Sequence, residues 1–181
     1  MYGLDNVVTE DYGSRCLVAR RMVERGVRFV QLSLSGQPWD THANNAAGLV
    51  GLCARTDQPT AALIRDLKQR GLLESTIVVW GGEFGRLPIA QGTDGRDHNR
   101  HGFSLWVAGG GFRSGHVYGA TDEFGYRSVQ DPVTVHDLHA TLLHALGLNH
   151  FRLSYPREGR ATSLTDADVT QARVVDALFN A

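Results

Sequence analysis

The sequence predicts an α/β fold, a three-layer α/β/α sandwich on a mostly parallel sheet. Three observations carry that expectation. Helix-like and strand-like segments alternate along the 181 residues, as they do in successive βα units. The run Thr76–Trp80 (T-I-V-V-W) is continuously β-branched and aromatic, the pattern of a strand covered on both faces. Glycine supplies 21 residues, about 12% against about 7% in an average chain, and gathers at Gly81-Gly82, Gly85 and Gly109-Gly110-Gly111, where strands end.

Each element has its own signal. From about Tyr12 to Arg25, Leu17, Val18, Met22 and Val23 recur at helical spacing, and Gly26 supplies a stop. Val27–Leu34 (V-R-F-V-Q-L-S-L) reads as a strand opening into the loop Q-P-W-D-T-H-A-N-N. From about Ala46 to Gly71 the pattern is helical, with Pro59 expected to start a second helix whose face carries Ala62, Leu63, Ile64 and Leu67. Thr76–Trp80 and Phe103–Ala108 are the second and third strands, and the polar excursion Arg96–His101 precedes the latter. A helix over Val135–Leu146 has Thr134 and Asp137 at capping-box spacing and Gly147 as its stop. Leu164–Asp168 opens a final helix that ends near Phe179. One domain, 1–181, is expected, with 155–181 as a peripheral segment.

Composition narrows the partners. Hydrophobic residues make up 42%, charged residues 20%, and the net charge is -1, which argues against both disorder and an electrostatic grip on nucleic acid. No apolar stretch approaches the roughly 20 residues of a membrane helix. Cys16 and Cys53 lie in helical contexts without C-x-x-C spacing and read as core residues. Met1–Glu10 has neither the basic start nor the apolar run of a signal peptide.

Ligands of α/β sheets gather beyond the carboxyl ends of strands, and three polar groups are expected there: Asp40 and His42, then Glu83, then Asp97, His98 and His101. Carboxylate oxygens and imidazole nitrogens hold zinc, manganese and similar ions, and Asp-x-His offers two donors from one loop. Each group also has a plainer reading. Asp40 could cap the helix beside it, Glu83 and Arg86 could be a solvated ion pair, and R-D-H-N-R-H could be an exposed loop. Their joint placement at one sheet edge favours a shared cation. His136, His139 and His144 read as packing residues of their helix, and His116 and His150 as surface residues.

The motifs W-D-T-H, V-V-W-G-G-E-F-G-R, G-R-D-H-N, F-S-L-W-V-A-G-G-G, Y-G-A-T-D-E-F-G-Y and V-H-D-L-H-A-T-L-L-H-A-L-G-L occur in that order. Together they resemble a bacterial domain-of-unknown-function family, fifteen-oh-one, grouped with the sulfatases and the alkaline phosphatase superfamily. The resemblance covers about Tyr2 to Leu164. It implies an alkaline phosphatase-like fold of which this chain is the C-terminal half, without the N-terminal strands that carry a further metal-binding Asp and the nucleophile. It also implies a metal set in which Asp40, His42 and His98 match the superfamily's ligands and Glu83 stands near a second position. Phe84 occupies the place of that position's histidine, for which His101 or Asp97 would substitute. No C-x-P-x-R signature is present, so neither cysteine is a formylglycine candidate.

The function so implied is metal-dependent hydrolysis of sulfate or phosphate esters, with a small anionic ester as substrate. The metal set is Asp40, His42, Glu83, Asp97 and His98. Arg86 and Arg100 are expected to steady the anion, and His101 to act as an acid or supporting group. Zinc or manganese suits these donors better than calcium or magnesium. A non-catalytic metal-binding or interaction module is the alternative. The resemblance also favours a periplasmic or cell-surface home, and pairing with an N-terminal segment or a second copy.

Overall fold

Arg20, on the helix α1 (Glu10–Glu24), is drawn inward by Asp66 on the helix α2 (Asn45–Gln69), and that attraction sets how the N-terminal part packs. The computed structural model describes residues 1–180. Asp66 accepts from Tyr2 Oη at 2.8 Å, Arg20 Nε at 2.8 Å and Arg70 Nε at 2.7 Å, so the buried charge is paired on both carboxylate oxygens. Around it Tyr2, Cys16 and Ala62 form a small core, joined by Tyr12, Leu17, Leu32 and Leu63. Gly13, Cys16, Ala19 and Arg20 are the buried face of α1, whereas Val18 and Met22, expected there, are exposed.

α2 is one helix of 25 residues, not two. Pro59 lies inside it and is buried. A proline within a helix forfeits a backbone hydrogen bond and costs about 3 kcal/mol. Burial of Leu52 and Thr56 before it, and of Ala62 and Leu67 after it, holds the two halves on one axis. Gly71, at φ 68°, ends the helix as expected. Val27–Leu34 forms no strand; Leu32 is spent on the helical core while Phe29 stays exposed.

The parallel three-layer sandwich is not formed. The chain is 34% helix and 18% strand, and among the described residues the strands make four two-stranded antiparallel pairs. β1 (Val78–Trp80) pairs with β4 (Trp106–Ala108) in the register Val78↔Ala108 and Trp80↔Trp106. β2 (Gly85–Gln91) and β3 (Gly95–Asn99) form a hairpin. β5 (Ala120–Thr121) pairs with β6 (Ser128–Gln130), and β7 (Ser154–Arg157) with β8 (Arg160–Ser163). The apolar runs that suggested buried parallel strands have another cause. Trp80 stacks on Trp106, with centroids 6.2 Å apart, and meets the edge of Trp39 at 5.9 Å. The two long helices pack on each other and do not cover sheet faces.

The accessible surface is 12021 Å², whereas a closed globule of 19.8 kDa would expose about 8,600 Å². The excess includes Val7, Phe29, Val117 and Phe124, all strongly exposed.

The C-terminal part has its own small core. In α3 (Val135–Ala145) the capping box is present: Asp137 N donates to Thr134 Oγ1 and Thr134 N to Asp137 Oδ2. Asp137 Oδ1 accepts from Arg173 N at 2.9 Å, and Thr141 Oγ1 accepts from Val175 N at 3.0 Å. The segment after 155 thereby contributes Ala167, Ala172 and Val175 to the interior. Its expected final helix reduces to α4 (Ala167–Thr170) and a single turn at Asp176–Leu178. His150, expected at the surface, is buried and bonded through Nδ1 to Thr165 Oγ1 at 2.8 Å. His136, His139 and His144 are exposed, and His144 lies beside Phe179.

A candidate metal centre

The hairpin β2–β3 is the platform of the site. Its register pairs Arg86 with His98 and Gly85 with Asn99, with a shift between Arg86 and Ala90 where Pro88 cannot donate to the ladder. The W-D-T-H loop is laid across it by backbone contacts. Arg96 N donates to Thr41 O at 2.9 Å, and Asp94 Oδ1 accepts from Asn44 N at 2.8 Å. Gly95 is required for this approach, because a Cβ there would stand 1.9 Å from His42 O.

That docking brings Asp40 and His42 of the loop together with His98 of β3, 58 residues beyond Asp40, with one donor atom of each within 4.8 Å of the others. His98 Nε2 is 2.9 Å and His42 Nε2 3.1 Å from Asp40 Oδ1. Asp40 does not cap α2, whose N-cap is Asn44. His42 Nδ1 is 2.6 Å from Gln91 Oε1. A carbonyl oxygen only accepts, so Nδ1 carries the hydrogen, and in the neutral ring Nε2 presents its lone pair to the cluster. Sequence reasoning did not reach Gln91; only its place at the end of an unread hairpin strand could have pointed to it.

The charges reinforce one another. The Asp40 carboxyl is held below its ordinary value, first by the hydrogen bond from His98 and then by the charges of His42, His98 and Arg86. His42 is raised, first through its bond to Gln91 and then by the negative charge of Asp40. The donor set of one carboxylate and two imidazoles fits a zinc-like ion and leaves coordination positions for water or a ligand.

The other expected site residues divide. Arg86 joins the cluster, with Nη2 3.2 Å from Asp40 Oδ1 and 3.1 Å from Glu83 Oε1. Glu83 lies outside the set of three, as the partner of Arg86, and that pairing holds its carboxyl down together with a backbone hydrogen bond, the larger cause. Asp97 also lies outside; its Oδ1 accepts from His98 N at 2.7 Å. Arg100 and His101 border a cleft of about 310 Å³ with Phe84, Leu87 and Tyr126, and His98 is common to cleft and cluster. The His101 ring faces Tyr126, 6.1 Å between centroids. Buried Asn99 pins this wall, donating to Tyr126 O at 2.8 Å and accepting from His101 N at 2.9 Å.

A β-hairpin crossed by an Asp-x-His loop thus defines a candidate cation-binding protein. The chain belongs to the family described as Protein of unknown function (DUF1501), whose model matches residues 1–179. No curated protein and no solved structure matches the chain. No helix among the described residues is long and apolar enough to cross a membrane.

Proposed function

We propose that this chain binds a divalent cation through Asp40, His42 and His98 and supplies the metal-binding part of a hydrolase of sulfate or phosphate esters. The observation that carries the reading is the meeting of those three donors within 4.8 Å, although His98 is far from the other two in sequence. Mixed imidazole and carboxylate ligation favours zinc or manganese over calcium or magnesium. Such an ion, when bound, supplies charge stabilisation and an acidified water. The chain's own groups do the rest. Arg86 beside the cluster and Arg100 on the cleft serve as anchors for a small anionic ester, and the cleft beside His98 receives its organic part. His101 stands at the cleft wall as the candidate proton donor. The sulfatase-like assignment rests on the ordered motifs.

The test is calorimetric titration of the chain with zinc, manganese, calcium and magnesium, followed by assays of 4-nitrophenyl phosphate and 4-nitrophenyl sulfate with the tightest-binding metal. Zinc or manganese binding that disappears in Asp40→Asn, together with release of nitrophenol, supports the reading. Failure to bind any of the four ions removes it. A metal-binding or interaction module without turnover is the second reading, favoured by the exposed apolar side chains Val7, Phe29, Val117 and Phe124. Metal binding with neither release of nitrophenol nor binding of either ester by the loaded chain would select it.

A further inference from the structure

Three groups claim one oxygen of Asp40. His98 Nε2 stands 2.9 Å from Oδ1, His42 Nε2 3.1 Å and Arg86 Nη2 3.2 Å. Of these only His98 meets it in hydrogen-bond geometry. Arg86 approaches as an ion pair, and His42 Nε2, a lone pair in the neutral ring, faces the oxygen as a fellow ligand. Arg86 and a bound cation are therefore rivals for the same negative charge. Arg86 is also held from other sides. Nη1 and Nη2 lie 3.2 and 3.1 Å from Glu83 Oε1, and the guanidinium carbon is 5.3 Å from the centre of the Phe84 ring. Its Nε is enclosed and bonded to no protein acceptor, which leaves donor capacity that its neighbours do not use.

Resting on the reading of Asp40, His42 and His98 as cation ligands, the geometry points to Arg86 as an anion-binding residue whose grip on Asp40 is exchanged for a tetrahedral oxyanion once the cation site fills. The guanidinium and a cation ligated by Oδ1 are like charges at one oxygen, so each weakens the other's hold. Released from Asp40, Arg86 does not drift into solvent, because Glu83 and Phe84 keep it beside the cluster. The planar fork then matches two oxygens of a phosphate or sulfate group. Cation and anion binding become linked through one side chain: what loosens Arg86 from Asp40 favours both.

The linkage predicts an opposed pair of effects, to be read by calorimetry on the full chain. Zinc alone is titrated first, and the zinc-loaded chain then receives inorganic phosphate or, in a separate arm, inorganic sulfate. Arg86→Gln removes the competitor, so it binds zinc as tightly as the unaltered chain or up to about tenfold tighter, yet when loaded it binds the preferred anion at least about tenfold more weakly, within the usual range of coupling. Arg86→Lys, which keeps a charge but not the fork, leaves zinc affinity in place and weakens the anion less. Circular dichroism shows whether each variant folds, and the lysine variant alone decides the matter if the glutamine variant does not. Weaker zinc binding in the folded variants, as a purely structural arginine would give, overturns the inference. So does an anion affinity that Arg86→Gln leaves unchanged, or a zinc-loaded chain that takes up neither anion. If the unaltered chain binds no zinc, the cation reading falls first and the inference with it.

Discussion

His42 turns Nδ1 toward Gln91, 2.6 Å away, and thereby commits Nε2 to Asp40 and the cluster. The expectation is direct: Gln91→Ala lowers zinc affinity by about 10- to 100-fold, the usual effect of losing a hydrogen-bond partner behind a metal-bound histidine. Calorimetry measures the loss. In proton NMR titration the same variant brings the His42 pKa back toward 6.5, since Gln91 is the largest cause of its rise.

Gly95→Ala should separate the site from the fold. Its Cβ would collide with His42 O at 1.9 Å, so the W-D-T-H loop must lift from the hairpin. Far-ultraviolet circular dichroism should be nearly unchanged, while zinc affinity falls at least tenfold, by the same reasoning as for a misplaced ligand. Unaltered zinc binding would mean that the loop does not need this approach.

Acidity acts on the site in two directions. The folded His42 is raised above 6.5, so its stabilising contribution is complete below about 6.5 and is lost as pH climbs through the folded value. Asp40 is lowered below 3.8, so its contribution is present above that value and is lost as pH falls through the folded one. With metal chelated, the melting-temperature difference between the chain and His42→Gln should therefore shrink toward alkaline pH. Zinc affinity runs the opposite way, because the imidazolium must give up its proton to become a ligand. Melting curves and titrations at several pH values between about 5 and 9 check both, spanning the ordinary histidine range.

Asp66→Ala should cost about 1 to 3 kcal/mol in urea unfolding, because Tyr2, Arg20 and Arg70 lose their shared acceptor and buried Arg20 keeps only Glu24 as a charged partner. Tyr2, pushed up to about 12 by burial and then by Asp66, should titrate closer to 10.0 if that variant stays folded.

Asp137→Ala removes the acceptor of Thr134 N, Thr134 Oγ1 and Arg173 N together. Loss of the cap and of buried partners should destabilise the C-terminal core by about 2 to 3 kcal/mol. A variant that unfolds like the parent would show that the tail is not held by this carboxylate.

What could be read in the residues depended on the range of the interaction. Thr134 and Asp137 are three apart and interact within one turn, so their capping box was legible. The extent of α2 was legible too, but Pro59 argued for a break that burial on both sides overrides. The run Thr76–Trp80 announced a strand but not its direction, since the partner Trp106–Ala108 and the indole stacking that joins them are not encoded in the period of either run. Pro88 and the glycines around it concealed β2 and β3, and with them Gln91. Asp40, His42 and His98 were singled out for their donor chemistry, and their convergence needed no parallel sheet: a hairpin and a docked loop suffice. His150 was misplaced because Thr165, its partner, lies in a stretch without periodic signal.

Arg86 and His98 occupy facing rungs of one short ladder. A deletion or insertion of one residue on either arm of that hairpin would turn one of them to the far side of the ribbon while leaving its length and composition almost unchanged. Lineages that tolerate length variation elsewhere should therefore keep the count between these two positions fixed, or lose the chemistry of both at a stroke.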